Sequence, residues 1–186
     1  MKIDWRSLSI EEAAALVCTT LDNEGISATL VGGACVMIYS SGEYVSRDLD
    51  FVSDAALRDI TATLSTIGFD HKSGRLFENS ACDFLLDFPA PPLAIGKEPV
   101  KTANILRTKT GMLRMLTATD CIKDRLAAWF HWNDHQCLEQ ALNIARSHSP
   151  DMAEIARWAQ VEGQIKKFRA FAKTLGAGKQ GSLRHR

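Results

Sequence analysis

Residues Leu30–Val52 read LVGGACVMIYSSGEYVSRDLDFV, and the fold turns on this stretch. The apolar run from Ile26 to Val31 has the length of a short buried strand, and Gly32-Gly33 stops it. Glycine permits positive φ and lets a ligand approach the main chain closely. Ala34 to Tyr39 then reads as one or two turns of helix. A helix N-terminus behind such a turn offers free N–H groups and the positive end of a dipole, which suits phosphate. After the polar loop Ser40 to Ser46, Arg47-Asp48-Leu49-Asp50-Phe51-Val52 alternates polar and apolar as a half-buried strand does. Residues i and i+2 of a strand share a face, so Asp48 and Asp50 lie side by side. Two neighbouring carboxylates repel and cost stability unless a cation sits between them. Clustered anionic oxygens are what a hard divalent cation such as Mg²⁺ requires. For Asp-x-Asp alone, the plainer alternative is a solvated strand end paired with Arg47.

Upstream, Ser9-Ile10-Glu11-Glu12 fits a capping box. The helix it opens places Ala13, Leu16, Val17 and Leu21 at helical spacing and closes at Gly25. Downstream, Ser53 or Asp54 is the expected cap of a helix reaching Ile67, with Leu57, Ile60, Leu64 and Ile67 on one face. Phe69 to Lys72 suggests a short strand and Cys82 to Phe88 a stronger one, ended by Pro89-Ala90-Pro91-Pro92. Asp83 and Asp87 fall on one face of that strand. If it neighbours the Asp48 strand, one of the two completes a three-carboxylate set, which can hold two metals roughly 3.5–4 Å apart. Ala103 to Thr108 and Met112 to Leu116 resemble a hairpin around Lys109-Thr110-Gly111. The chain then turns helical. Thr119 caps a helix to about His131, a second runs from Asp134 to Arg146, and Ser149-Pro150 opens a third that reaches about Leu175. This order predicts an α/β (α+β) protein, a mixed sheet flanked by helices with a C-terminal helical part. The expected parts are a core over 1–116, a helical part over 117–175 and a disordered basic tail over 176–186.

A Gly-Gly turn, a short helix, Asp-hydrophobic-Asp on the next strand and a later strand carboxylate resemble the polymerase-β-like nucleotidyltransferase superfamily. The flavour is that of small bacterial proteins related to abortive-infection toxins. The resemblance spans roughly residues 28 to 146, with a spacer between Gly33 and Asp48 slightly longer than usual. It implies that Asp48 and Asp50 bind metal and that Gly32 and Gly33 hold the nucleotide's phosphates. Leu86-Asp87-Phe88 looks like the family's hydrophobic-acid-hydrophobic motif, so Asp87 is preferred to Asp83 as the third acid. Arg47, Lys123 and Arg125 are the candidate cations for the triphosphate; positions 123 and 125 do not share a helix side. The implied reaction is transfer of a nucleoside monophosphate from an NTP such as ATP, with Mg²⁺, to a hydroxyl on RNA (tRNA included), a protein or a small molecule. A toxin–antitoxin or defence role, with an antitoxin partner, belongs to the same resemblance. The alternative is a non-catalytic NTP- or RNA-binding module, or antitoxin-type partner, on the same fold.

Composition constrains the rest. Lys plus Arg number 22, as do Asp plus Glu, so net charge argues neither for nor against nucleic acid. Gly163 to Arg186 contains no acidic residue, and its basic side chains suit either a solvated helix face or a phosphate-rich partner. No apolar run approaches the ~20 residues that span a bilayer. The N-terminal MKIDWRSLSIEE lacks an apolar signal region. A cytoplasmic location is therefore expected. Five scattered cysteines in apolar surroundings read as buried thiols. His131, Asp134, His135 and Cys137 offer zinc-type ligands at close spacing, although Asn133-Asp134 is expected to break the helix there. Ser40 and Ser41 are minor phosphate candidates, and Trp129, Phe130 and Trp132 read as packing residues.

Overall fold

In the computed structural model, which describes residues 3–182, the capping box forms as its spacing requires. Ser9 Oγ accepts from the Glu12 N–H and the Glu12 carboxylate accepts from the Ser9 N–H. The helix that follows, α1 (Ile10–Asn23), buries Ala13, Ala14, Val17, Cys18 and Leu21 and ends where Gly25 takes φ +74°. One 3-10 turn (Trp5–Ser7) precedes it and sets the Trp5 ring edge-on to Phe69 at 5.1 Å.

Strands β1 (Thr29–Val31), β2 (Asp48–Val52), β3 (Asp70–Ser73), β4 (Leu76–Glu78), β5 (Leu85–Asp87), β8 (Ala103–Thr108) and β9 (Gly111–Leu116) form one mixed sheet, ordered β3-β4-β5-β2-β1-β9-β8. Two further strands, β6 (Ala94–Ile95) and β7 (Glu98–Pro99), make a small ribbon. The remaining helices are α2 (Gly32–Tyr39), α3 (Leu57–Ser65), α4 (Ala118–Trp132), α5 (His135–Ser147), α6 (Met152–Val161) and α7 (Ile165–Ser182). This is the expected α+β architecture.

The chain divides into two compact units. The first runs to Ala94 and resumes from Pro99 to Thr117; the second comprises Ile95–Glu98 and the chain from Ala118 onward. In the first, Leu30, Leu49, Phe51, Phe77, Leu86 and Phe88 are buried, with Phe51 stacked on Phe88 at 5.8 Å. Each such side chain contributes about 1.5–3 kcal/mol of burial. In the second, Trp158 is fully buried, stacks on Phe130 at 5.5 Å and donates its indole N–H to Ile95 O at 3.2 Å. The Glu162 carboxylate, also buried, accepts the Lys97 N–H at 2.8 Å.

Several expectations shift. Neither Ser53 nor Asp54 caps α3; Ala56 occupies the N-cap, and Ser53 Oγ accepts instead from the Ala55 N–H. The strand expected over 82–88 shrinks to β5, because Asn79 folds the chain just before it. Its side-chain oxygen accepts from the Ala81 N–H at 2.9 Å and its carbonyl accepts from the Cys82 N–H at 3.1 Å. The long third helix is two helices. Asp151 caps α6 by accepting the Glu154 N–H, and Gly163 at φ +71° breaks the chain before α7. The segment expected to be disordered begins at Gly176, yet α7 continues to Ser182, since an isolated glycine costs a helix only about 1 kcal/mol. Residues 183–186 lie outside the described residues. None of the five cysteines is in a disulfide, and four of them are buried. No described helix is long and apolar enough to cross a membrane.

Candidate active site

Register decides which carboxylates meet. Strand β2 lies between β1, antiparallel to it, and β5, parallel to it, with Val31 opposite Asp50 and Asp50 opposite Asp87. Residues directly opposite on neighbouring strands share a face, as do residues i and i+2 of one strand. Asp48, Asp50 and Asp87 therefore occupy one face, at the end of the sheet where β1 runs into α2. Strands lie about 4.8 Å apart and two residues along a strand span about 7 Å, so the three carboxyls are neighbours on that face. Leu49, Phe51 and Leu86, on the opposite face, are fully buried and fix the strands in place. Asp48 is exposed, while Asp50 and Asp87 are half-buried. Among the described residues, neither Asp48 nor Asp87 makes an ion pair. Asp83 lies ahead of β5, in a surface groove with Asp70, Glu78 and Cys82. The register thus brings Asp87, and not Asp83, beside Asp50.

The glycine turn is built against this face. Gly32 takes φ +66°, and a Cβ there would stand 2.2 Å from Asp50 Oδ2, closer than any real Cβ contact. Only glycine fits: the conformation disfavours a side chain, and the Asp50 carboxylate occupies the space. A Cβ on Gly33 would come within 3.0 Å of Ser46 Oγ and 3.5 Å of the Tyr44 ring. The loop before β2 therefore folds back over the turn. Ser46 Oγ pins it, donating to Asp48 O at 3.0 Å and accepting the Asp48 N–H at 3.4 Å. The sequence reading passed over Ser46; its signal was a hydroxyl two residues ahead of a carboxylate, where serine closes a local turn. Ser40 is buried and holds the loop, accepting the Tyr44 N–H, rather than facing a ligand. Arg47 is exposed, its carbonyl accepts the Leu85 N–H at 3.1 Å, and its guanidinium has no ion pair among the described residues.

The other two candidate cations belong to the second unit and have acidic partners there. Lys123 is buried, with Nζ 2.7 Å from Glu154 Oε1 and 3.2 Å from Asp120 Oδ1. Arg125 donates to Asp124 and lies 3.8 Å from Cys137 Sγ. Burial opposes its charge, but the Asp124 carboxylate outweighs that and raises its pKa above the ordinary value. His131 Nε2 is 3.4 Å from Glu162 Oε2, and Asp134 caps α5 through the Cys137 N–H. Among the described residues, no three His, Cys, Asp or Glu side chains are arranged to hold a metal ion. This holds for His131 to Cys137 and for Asp48, Asp50 and Asp87 alike. The three aspartates share a face without converging on one point.

At the level of sequence, no protein family and no curated protein matches the chain. Solved structures do. Over 90% of this chain and 92% of its own, an antigenic nucleotidyltransferase-like protein from Paracoccidioides brasiliensis matches with a TM-score of 0.64 at 13% identity. The chain shares the fold of this nucleotidyltransferase-like protein. Two further matches are to the antibiotic-resistance factor ANT(2'')-Ia. Its solution structure matches at 14% identity and TM-score 0.45, over 92% of this chain and 95% of that one. Its crystal structure with adenylyl-2''-tobramycin matches at 17% and 0.48, over 83% and 93%. At these TM-scores they add nothing to the fold assignment, which rests on the Paracoccidioides brasiliensis protein.

Proposed function

We propose that the chain is a metal-dependent nucleotidyltransferase that moves a nucleoside monophosphate from an NTP to an acceptor hydroxyl and releases pyrophosphate. The observation that carries this reading is the pairing of Asp50 with Asp87 at the point where the Asp50 carboxylate lies against Gly32. Asp48, Asp50 and Asp87 form an all-oxygen donor set on one face, the chemistry a hard cation such as Mg²⁺ takes. Bound there, divalent ions would stabilise the charge on the transferring phosphoryl group and on the departing pyrophosphate.

The chain's own groups divide the remaining work. Main-chain N–H groups at the start of α2 receive the phosphates, and the bare Cα atoms of Gly32 and Gly33 leave room for Asp50 and the Ser46 loop to pack against the turn. Arg47 supplies an exposed guanidinium for the triphosphate. The acceptor oxygen attacks the α-phosphorus, the bond to pyrophosphate breaks, and Asp87 accepts the acceptor's proton. Lys123 and Arg125 act as structural cations of the helical unit, because their charges already face carboxylates. The acceptor is a hydroxyl on RNA, protein or a small molecule, and the site lies within the core over 1–116.

Calorimetric titration of each NTP with Mg²⁺ into the wild type and into Asp48→Asn/Asp50→Asn tests the site. Metal-dependent binding lost in the double variant supports it, and an NTP that binds both proteins equally refutes it. A labelled-NTP transfer screen then separates an enzyme from a module that only binds.

A further inference from the structure

The sheet has two edges, and they are finished differently. Strand β3 exposes all four of its residues, carries Asp70, His71 and Lys72, and slips register against β4 between His71 and Ser73. Charge and irregularity of this kind blunt an edge against pairing. Strand β8 carries a single charge, Arg107, and no irregularity. Its six residues hold unbroken register with β9, from Ala103 opposite Leu116 to Thr108 opposite Gly111, with no proline and no bulge. Thr108 and Gly111 flank a two-residue turn, so that pair and every second pair beyond it exchange ladder hydrogen bonds. The N–H and C=O groups of Ala103, Ile105 and Arg107 therefore point away from β9. Among the described residues, no strand pairs with that side.

The side chains beside this edge have a definite chemistry. Ile105 is 47% exposed and Met112 42%, and with Asp22, Arg107 and Arg114 they line a groove of about 410 Å³. Arg114 is compensated by Asp22 at 3.1 Å. Arg107 makes no ion pair among the described residues; its guanidinium donates only to the Met112 sulfur, at 3.3 Å. The groove thus offers two apolar side chains, one uncompensated positive charge and a row of open main-chain groups.

We propose that the open edge of β8 docks an extended segment of a partner protein as an additional strand, with an apolar side chain over Ile105 and Met112 and an acidic one, two residues away, at Arg107. Main-chain hydrogen bonds supply affinity in this mode, and alternate side chains supply selectivity. Period-2 geometry puts the two selecting side chains on one face, matching Ile105 and Arg107. A second copy of this chain fits less well, because pairing β8 with itself brings two uncompensated Arg107 side chains to one face with no free carboxylate to meet them.

The test uses the full chain and a fluorescein-labelled eight-residue peptide that alternates threonine with valine and glutamate, followed by fluorescence anisotropy. Saturable binding is expected, weakened roughly tenfold when the glutamates become glutamines. Arg107→Glu, at an exposed position, should weaken it by at least as much. Ile105→Pro should abolish it while preserving the fold, since an edge strand tolerates proline where the N–H faces outward. Circular dichroism checks both variants. The proposal is overturned if the folded wild type shows no saturable binding, or if both variants bind like the wild type. Sedimentation showing a dimer that Ile105→Pro dissolves would overturn it in favour of self-association.

Discussion

Gly32→Ala probes the contact on which the candidate site is built. Two costs arise, and they separate. The backbone holds φ +66°, where a Cβ costs about 1–2 kcal/mol. The new methyl would also stand 2.2 Å from Asp50 Oδ2, and relieving such overpacking typically costs about 1–3 kcal/mol more. Gly32→Ala should therefore lower stability by about 2–5 kcal/mol and displace the Asp50 carboxylate. Gly33→Ala meets Ser46 Oγ at 3.0 Å without a positive φ, so a small shift accommodates it at under about 1 kcal/mol. Asp50→Ala removes the obstruction. In that background Gly32→Ala retains only the backbone cost, and the double-mutant cycle should show a coupling of about 1–3 kcal/mol. Urea unfolding of the four proteins, with circular dichroism as the readout, measures it. A coupling near zero, or Gly33→Ala as damaging as Gly32→Ala, would refute the reasoning.

Three further outcomes follow from the same geometry. Asp87→Asn should reduce NMP transfer by roughly a hundredfold or more with little change in thermal stability, as loss of a metal-holding, proton-accepting carboxylate implies, while Asp83→Asn stays within about twofold; initial rates with labelled NTP decide between them. The Glu154 carboxyl is held down at about 2, first by Arg157 and then by Lys123. A lowered folded pKa adds stability that is complete above the unfolded value near 4.5 and lost as pH falls towards 2, so Glu154→Gln should flatten that part of the acid-unfolding curve read by tryptophan fluorescence. Lys123→Ala removes the ammonium shared by Asp120 and Glu154 but leaves Arg157 on Glu154, and should cost about 1–3 kcal/mol in thermal unfolding while NTP affinity stays unchanged.

How far the sequence could be read depended on the distance over which each feature is decided. The Ser9 capping box, the alternation from Arg47 to Val52 and the hairpin around Lys109-Thr110 are set within a few residues, and all three form as the local pattern dictates. The choice between Asp83 and Asp87 is not local. It depends on where β5 begins, which the Asn79 turn sets, and on the register of β5 against a strand some 35 residues earlier. The long helix expected after Pro150 was misjudged for a related reason: apolar spacing continues across Gly163, and only the positive φ there separates α6 from α7. Lys123 looked like a free cation because one of its acids, Glu154, lies on another helix.

The same distinction explains why the glycine turn was legible and its cause was not. Gly32-Gly33 after a strand announces a tight turn, but many turns would produce that dipeptide. What singles out Gly32 is a contact from the neighbouring strand: the Asp50 carboxylate lies where a side chain would have to be. A carboxylate on a half-buried sheet face and a positive-φ residue are each unfavourable alone. Together they hold an acidic group against the start of α2, next to the register that brings Asp87 alongside. Local rules bend in the same few residues where the proposed site lies, which is the pattern expected where function and stability compete.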